Sequence, residues 1–253
     1  MRPLVTLLTD FGTADGYVAE MKGVLLTQAP DVNIVDVTHD VPAHDVESAR
    51  LAVARYWRRF PRGAVHLVVV DPGVGGTRAA LAVESDGRFL LGPDNGVLSP
   101  ALLISGTRAV RLSAPPRASA TFHGRDVFAP AAARLAMGGA LQDLGEPADD
   151  PIVRRTPEAR RLPDGGVEGM VIAIDRFGNA ITNLLTLGAG AIEFDGRALP
   201  LRRIYEDVEP GAPLALVGSN GLVEIAVREG NAAERLGIRR GTRVVLRTGT
   251  RSG

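Results

Sequence analysis

The first half of the chain alternates between two hydrophobic periods. Leu4-Val5-Thr6-Leu7-Leu8 is a short apolar run of the kind that forms a buried strand, and it stops at the turn Thr9-Asp10-Phe11-Gly12. From Ala14 to Gln28 the spacing becomes helical, with Val18, Met21, Leu25 and Leu26 on one face. Asn33 to Val37 predicts a second strand. Asp45 to Phe60 predicts a second helix, with Val46, Ala49, Val53, Tyr56 or Trp57, and Phe60 at helical spacing. Ala64 to Val70 is the clearest strand, a β-branched run ending at Asp71-Pro72-Gly73. Two short strands, Ala80 to Glu84 and Phe89 to Leu91, and a helix from Asp126 to Met137 complete this half. Strand, helix, strand, helix, strand predicts an α/β domain with a mostly parallel sheet.

Between Gly145 and Gly166 the periodicity gives way to Pro, Gly and charge, the composition of a boundary or long surface loop. Beyond it come short strands punctuated by glycine: Val167 to Ile174, Ala191 to Phe194, Leu214 to Val217, Val223 to Val227 and Thr242 to Leu246. That spacing predicts an all-β barrel or sandwich. The expected organisation is an N-terminal α/β domain over 1–148, a linker over 149–166 and a smaller C-terminal all-β domain over 167–253. The tail Thr248 to Gly253 is expected to fray.

Composition narrows the function. Apolar residues make up 45% and charged residues 23%, as in ordinary globular proteins, and the formal net charge is zero. Nucleic acids and anionic membranes require a basic surface, so neither is an expected partner. Lys22 is the only lysine, and there is no cysteine for a disulfide or thiolate metal site. The apolar start is too short, and charged too soon at Asp10, to read as a signal peptide. No apolar stretch reaches spanning length, and the expected location is the cytoplasm.

Ligands of α/β sheets bind where strands end at their carboxyl edge. Two such ends are chemically loaded: Asp10, with Asp15 nearby, and Asp71-Pro72-Gly73-Val74-Gly75-Gly76-Thr77-Arg78. A third polar group, Thr121-Phe122-His123-Gly124-Arg125-Asp126, precedes the last helix. Each has a plainer reading. Asp15 suits the N-terminal turn of a helix, Asp71-Pro72-Gly73 can be a simple turn, and His123 alone can be structural. The glycine loop lacks the Gly-Lys-Ser/Thr of a phosphate loop and does not match the dinucleotide fingerprint. His39 and His44, with Asp36, Asp40 and Asp45, fit no common metal spacing and read as a solvated loop. In the second half, Asp175-Arg176-Phe177-Gly178-Asn179 and Gly218-Ser219-Asn220-Gly221 read on their own as loop chemistry.

In order and spacing, these segments together resemble one family, the S-adenosyl-L-methionine hydroxide adenosyltransferases, relatives of the fluorinases and chlorinases. The resemblance spans nearly the whole chain. It is carried by Thr9-Asp10-Phe11-Gly12, Tyr17 to Gly23, Val35-Asp36-Val37-Thr38-His39, Val70 to Gly75, Gly92-Pro93-Asp94-Asn95-Gly96, Phe122 to Asp126 and the two C-terminal segments. It implies an α/β domain, a C-terminal barrel and a homotrimer with the ligand between subunits. It also implies hydrolysis of S-adenosyl-L-methionine to adenosine and L-methionine, with no cofactor and no metal. Asp71, Arg78 and His123 fill the places of the family's hydrolytic triad. Asp10 with Phe11, Phe177, Asn179 and Val227 fill places at the nucleoside. Asp175, Ser219, Asn220 and Glu224 fill places at the amino-acid end, where Asn220 stands in for an arginine of some relatives. A chlorinase, or a non-catalytic trimer that binds the same ligand, are the alternatives. The triad and the lack of room for an extra loop between Leu91 and His123 point to water as nucleophile.

Overall fold

The computed structural model describes residues 2–186 and 188–248, so the expected fraying of the tail past Thr248 lies outside the described residues. The chain divides into two compact units, Met1–Arg155 and Thr156–Gly253.

In the first unit, chain order is β1 (Leu4–Thr9), α1 (Tyr17–Gln28), β2 (Asn33–Thr38), α2 (Val46–Tyr56), β3 (Val65–Val69), β4 (Ala80–Ser85), β5 (Arg88–Pro93), α3 (Ser99–Leu102), β6 (Arg108–Leu112), α4 (Ala129–Ala136) and β7 (Gly145–Pro147). The sheet order is β2-β1-β3-β5-β4-β6-β7. The first four of these run parallel, and antiparallel pairs follow from β5 onward. Strand alternation sorts side chains into two cores. Val5, Leu7, Val65, Leu67 and Val69 pack with Met21, Leu25 and the alanines of α4. Leu8, Val68 and Val70 pack with Val46, Ala49, Val53 and Trp57 on the other face. Each such side chain contributes about 1.5–3 kcal/mol when fully buried, and together they hold two helical layers on the sheet. β2 lies on one side of β1 and β3 on the other, so the connections diverge between β1 and β3. At that divergence the carboxyl ends carry Asp10 and Asp71.

Several element boundaries shift for local reasons. Gly12 and Gly16 both have positive φ, so α1 starts only at Tyr17. Asp15 therefore precedes the helix and is exposed, which corrects its reading as a first-turn carboxylate. Leu26, expected on the inner face, points outward. The second helix ends at Tyr56; one tight turn, Trp57–Arg59, follows and buries Trp57. The segment expected as one helix from Asp126 begins as a wide turn, Gly124–Phe128, before α4.

The second unit contains β8 (Arg160–Arg161), β9 (Val167–Ile174), β10 (Ala180–Leu185), β11 (Gly190–Phe194), β12 (Arg197–Arg202), β13 (Pro213–Val217), β14 (Leu222–Val227), α5 (Ala232–Leu236) and β15 (Arg243–Thr248). Their order is β10-β14-β13-β12-β11-β15-β9-β8, and β10 pairs back onto β9. Seven strands thus close into a barrel around Val171, Leu184, Ile192, Phe194, Val223, Ile225 and Leu246. Closure pairs the edges that an open sheet would expose. The β11–β12 hairpin turns at Asp195-Gly196, both with positive φ, as a two-residue hairpin requires. Among the described residues no helix is long and apolar enough to cross a membrane.

Candidate active site

Asp71 lies just past β3, after Val70, and Arg78 leads into β4, so a seven-residue excursion folds Arg78 back onto Asp71. Arg78 Nε donates to Asp71 Oδ1 at 2.9 Å, and a second guanidinium nitrogen donates to Oδ2. This two-pronged contact fixes the guanidinium plane. Both side chains are largely withdrawn from water, at 12% and 5% exposure, and the guanidinium carbon lies 5.8 Å from the centre of the Phe128 ring. The same nitrogen, Nη2, sits 2.8 Å from His123 Nδ1. Gly75 makes this approach possible. Its φ is +75°, and a Cβ there would overlap the carbonyl oxygen of Ala120 in the loop leading to His123.

The charges settle the histidine's tautomer. A guanidinium offers only donors, so His123 Nδ1 must accept, and the ring hydrogen of neutral His123 resides on Nε2. Burial, then the charge of Arg78, hold the His123 pKa below its ordinary value, against the opposing pull of Asp71 and Asp126. Asp126 is itself occupied. Its carboxylate accepts from the Ser119 N–H and from Arg125, whose other arm reaches Glu20 on α1 at 2.8 Å. These contacts anchor the loop carrying His123 to α1.

Asp10 lies at the end of β1. Its Oδ2 accepts the backbone N–H of His44 at 2.8 Å, and the carboxylate is partly exposed. Phe11, on the same turn, packs edge-on against Phe122 at 5.9 Å between ring centres, which ties the Asp10 turn to the His123 loop. His39 is engaged on both sides, by Thr9 at Nδ1 and by Asp36 facing Nε2, while His44 serves through its backbone.

A second cluster occupies the barrel unit. Asp175 Oδ1 accepts the N–H groups of Phe177 and Asn179, and its Oδ2 faces the Asn179 amide at 3.1 Å. Asp175 thereby fixes the turn between β9 and β10 that presents Phe177, 75% exposed. Gly178 approaches Asn231 too closely for any Cβ. The Asn179 amide also reaches Tyr205 Oη at 3.4 Å. Burial, then the charges of Glu224 and Asp175, raise the Tyr205 pKa. Glu224 is buried on β14 against Gly218, where a Cβ would overlap the carboxylate as it is placed. Ser219 and Asn220 form the turn after Gly218, with Asn220 Oδ1 accepting the Leu222 N–H. Val227 ends β14 and is buried. The sequence reading missed Tyr205. It sits in a short turn outside any strand pattern, and its only local signal is an aromatic ring between Ile204 and two acids.

Residues 5–145 match the family profile described as SAM hydroxide adenosyltransferase N-terminal domain, and residues 169–245 match its C-terminal domain. A Thermus thermophilus protein named (R)-S-adenosyl-L-methionine hydrolase is 44% identical, over 97% of this chain and 100% of its own. One of the same name from Salinispora arenicola is 40% identical, over 98% of each chain. The crystal structure of an uncharacterized conserved protein from Thermotoga maritima superimposes with a TM-score of 0.86 at 30% identity, covering 96% of this chain and 99% of that one.

Proposed function

The chain belongs to the SAM hydroxide adenosyltransferase family, and from that premise we propose that Asp71, Arg78 and His123 are the reacting centre of an adenosine-forming S-adenosyl-L-methionine hydrolase. Water attacks C5′ of the ribose, the C5′–S bond breaks with its electron pair passing to sulfur, and adenosine, L-methionine and a proton result. The sulfonium is its own good leaving group, so the reaction needs neither a general acid nor a cofactor. What it lacks is a nucleophile held in line and given hydroxide character.

The observation that carries this reading is the clamped Arg78 guanidinium sharing one nitrogen between Asp71 and His123. Arg78 stabilises developing hydroxide by charge, while Asp71 neutralises the guanidinium enough for a cationic sulfonium to approach. His123, with its hydrogen on Nε2, donates to the water oxygen and turns a lone pair toward C5′. Both of the atoms through which His123 could act as a base are thus committed in this arrangement. Positioning and charge supply the rate, and the proton of the attacking water passes to bulk water as the C5′–O bond forms. Well-oriented reactants can gain on the order of 7 kcal/mol from positioning alone.

For binding, Asp10 offers a two-oxygen grip on the ribose hydroxyls, with Phe11 beside it. Phe177 offers a stacking face to adenine, and Asn179 and the Val227 backbone meet its edge. Tyr205 extends that wall. Asp175 and Glu224 give negative charge suited to the ammonium of the methionine end, with Ser219 and Asn220 adjacent. The homotrimer with its ligand between subunits is carried over from the family resemblance, and the 75% exposed Phe177 ring is accessible to such a ligand. Zero net charge fits a small-molecule substrate, with no nucleic-acid or membrane partner, and the cytoplasm remains the proposed place of action. The relatives' name specifies the R sulfonium, and we extend that preference to this chain.

The direct test is turnover in ¹⁸O-water with mass spectrometry of the products. Adenosine labelled at its 5′ oxygen, formed with methionine, is the expected result. Bound but uncleaved substrate would overturn the assignment in favour of a binding protein.

A further inference from the structure

The strand end that carries Asp10 is held by a chain of side chains that the reaction itself does not use. Thr9 Oγ1 lies 2.8 Å from His39 Nδ1, His39 Nε2 lies 3.1 Å from Asp36 Oδ1, and Lys22 Nζ donates to Asp36 Oδ2 at 2.6 Å. The chain runs from fully buried Thr9 through buried His39 to a half-exposed ion pair linking α1 to β2. Its polarity is set from the outside. Partial burial pushes the Asp36 carboxyl up, but contacts and charge from Lys22 and His39 outweigh it and hold the group below its ordinary range. An ionised Asp36 faces His39 Nε2 at 3.1 Å as a charge contact outside hydrogen-bond geometry; its negative charge favours the hydrogen on Nε2, which leaves Nδ1 to accept the Thr9 hydroxyl. Thr9 Oγ1 in turn faces the Phe11 N–H at 3.3 Å, and the Gly12 N–H donates to the His39 carbonyl at 2.9 Å. The four-residue turn bearing Asp10 is thus pinned to His39 on both sides of Asp10.

We infer that Thr9, His39, Asp36 and Lys22 form a positioning relay that sets Asp10 for the ribose hydroxyls. Lys22 and Asp36 thereby govern nucleoside affinity without touching the nucleoside. This rests on the assignment of Asp10 to the ribose made above. A turn free to move would weaken ribose binding in substrate and transition state alike, so the effect falls on KM.

The test compares Lys22→Met, Asp36→Asn, His39→Asn and Asp10→Ala by steady-state kinetics. It adds calorimetric binding of adenosine and of 2′,3′-dideoxyadenosine, with Tm recorded for each variant. Expected are a rise in KM of about tenfold in His39→Asn and about threefold in Lys22→Met, with kcat within about twofold. The affinity loss should be present for adenosine and absent for the dideoxy compound. His39→Asn combined with Asp10→Ala should be no worse than Asp10→Ala alone. If Asp10→Ala weakens adenosine binding while folded His39→Asn and Asp36→Asn bind as the parent does, the relay is overturned and the ribose assignment stands. Unchanged adenosine binding in Asp10→Ala overturns the ribose assignment itself. Equal losses for both nucleosides would make the chain a general structural brace and overturn the relay.

Discussion

His123 Nδ1 stands 2.8 Å from a guanidinium nitrogen of Arg78 that also binds Asp71. A histidine facing an arginine is normally repelled from protonation, and here burial acts in the same direction. The ring is therefore kept neutral and its free hydrogen is aimed away from Arg78. Burial, then the neighbouring guanidinium, keep the histidine neutral, and the short contact fixes its tautomer and the role left to it.

The guanidinium's plane should matter as much as its charge. Arg78→Lys keeps the charge but loses the fork that spans Asp71 and His123 together. The expected outcome is a fall in kcat of about a hundredfold with KM little changed, the pattern of a lost transition-state contact. Single-turnover adenosine formation measures it directly, and an enzyme retaining parental kcat would remove Arg78 from the reacting centre.

Activity should carry an acid limb set by His123. Protonation puts a hydrogen on Nδ1, which then opposes the Arg78 donor, so the neutral form is the active one. Because the folded pKa lies below the ordinary histidine value of 6.5, kcat/KM should be flat near neutrality and decline only below pH 6.5. The stability contribution has the same sign, complete above pH 6.5 and lost as pH falls through the lowered value. A pH–rate profile on the parent and on His123→Asn checks this. The acid limb should vanish in the variant, and a parental limb centred above 6.5 would contradict a depressed His123.

The framework of this site was legible because it lies on strand ends. β1 and β3 are short, mostly apolar runs broken only by Thr6, Thr9 and His66, so the polar residues that close them, Asp10 and Asp71, could be placed at a sheet edge from sequence. The parallel core and an all-β second unit followed from the same periodicities, while the choice of barrel over sandwich came from the family resemblance. What periodicity could not give was pairing across the chain. The 2.8 Å contact of His123 with Arg78 joins residues 45 positions apart, and its enabling feature, Gly75 against Ala120, has no local signature. β10 and β12 were missed because Asn183 and Pro200 interrupt their alternation. Barrel closure supplies the pairing that their own sequences do not advertise.

A second buried histidine should dominate stability in mild acid. His66 on β3 is fully buried, bonded to Thr6 at 2.8 Å and packed edge-on against Tyr56 and Phe60. Burial, then the charge of Arg88, lower its pKa to about 4. The unfolded chain binds this proton more readily, so stability is complete above pH 6.5 and drains away as pH falls toward 4. The loss over that window is about 3 kcal/mol. Urea unfolding at pH 7.5, 5.5 and 4.5 should trace it, with His66→Gln giving a visibly flatter curve. Parallel curves for parent and variant would show that His66 is not the titrating group.

The configuration at sulfur offers the last discrimination. In a displacement at C5′ the attacking oxygen, the carbon and the sulfur lie in line, so the sulfonium's two other substituents must fit the walls on either side. Inverting sulfur with C5′ held in line exchanges its methyl group with either the methionine chain or the lone pair. The first exchange would swing the amino-acid end away from the wall proposed for it at Asp175 and Glu224, leaving its ammonium without a counter-charge, and the second would drive the methyl group into the space the lone pair occupies. Loss of one such charged contact costs on the order of 2–5 kcal/mol, about thirtyfold or more in kcat/KM. Competition between the two sulfur epimers in one mixture, followed by chromatography of the residual substrate, should deplete the R epimer first. Equal depletion would mean that the methionine end is not gripped during displacement, and Asp175→Asn and Glu224→Gln would then leave kcat/KM unchanged.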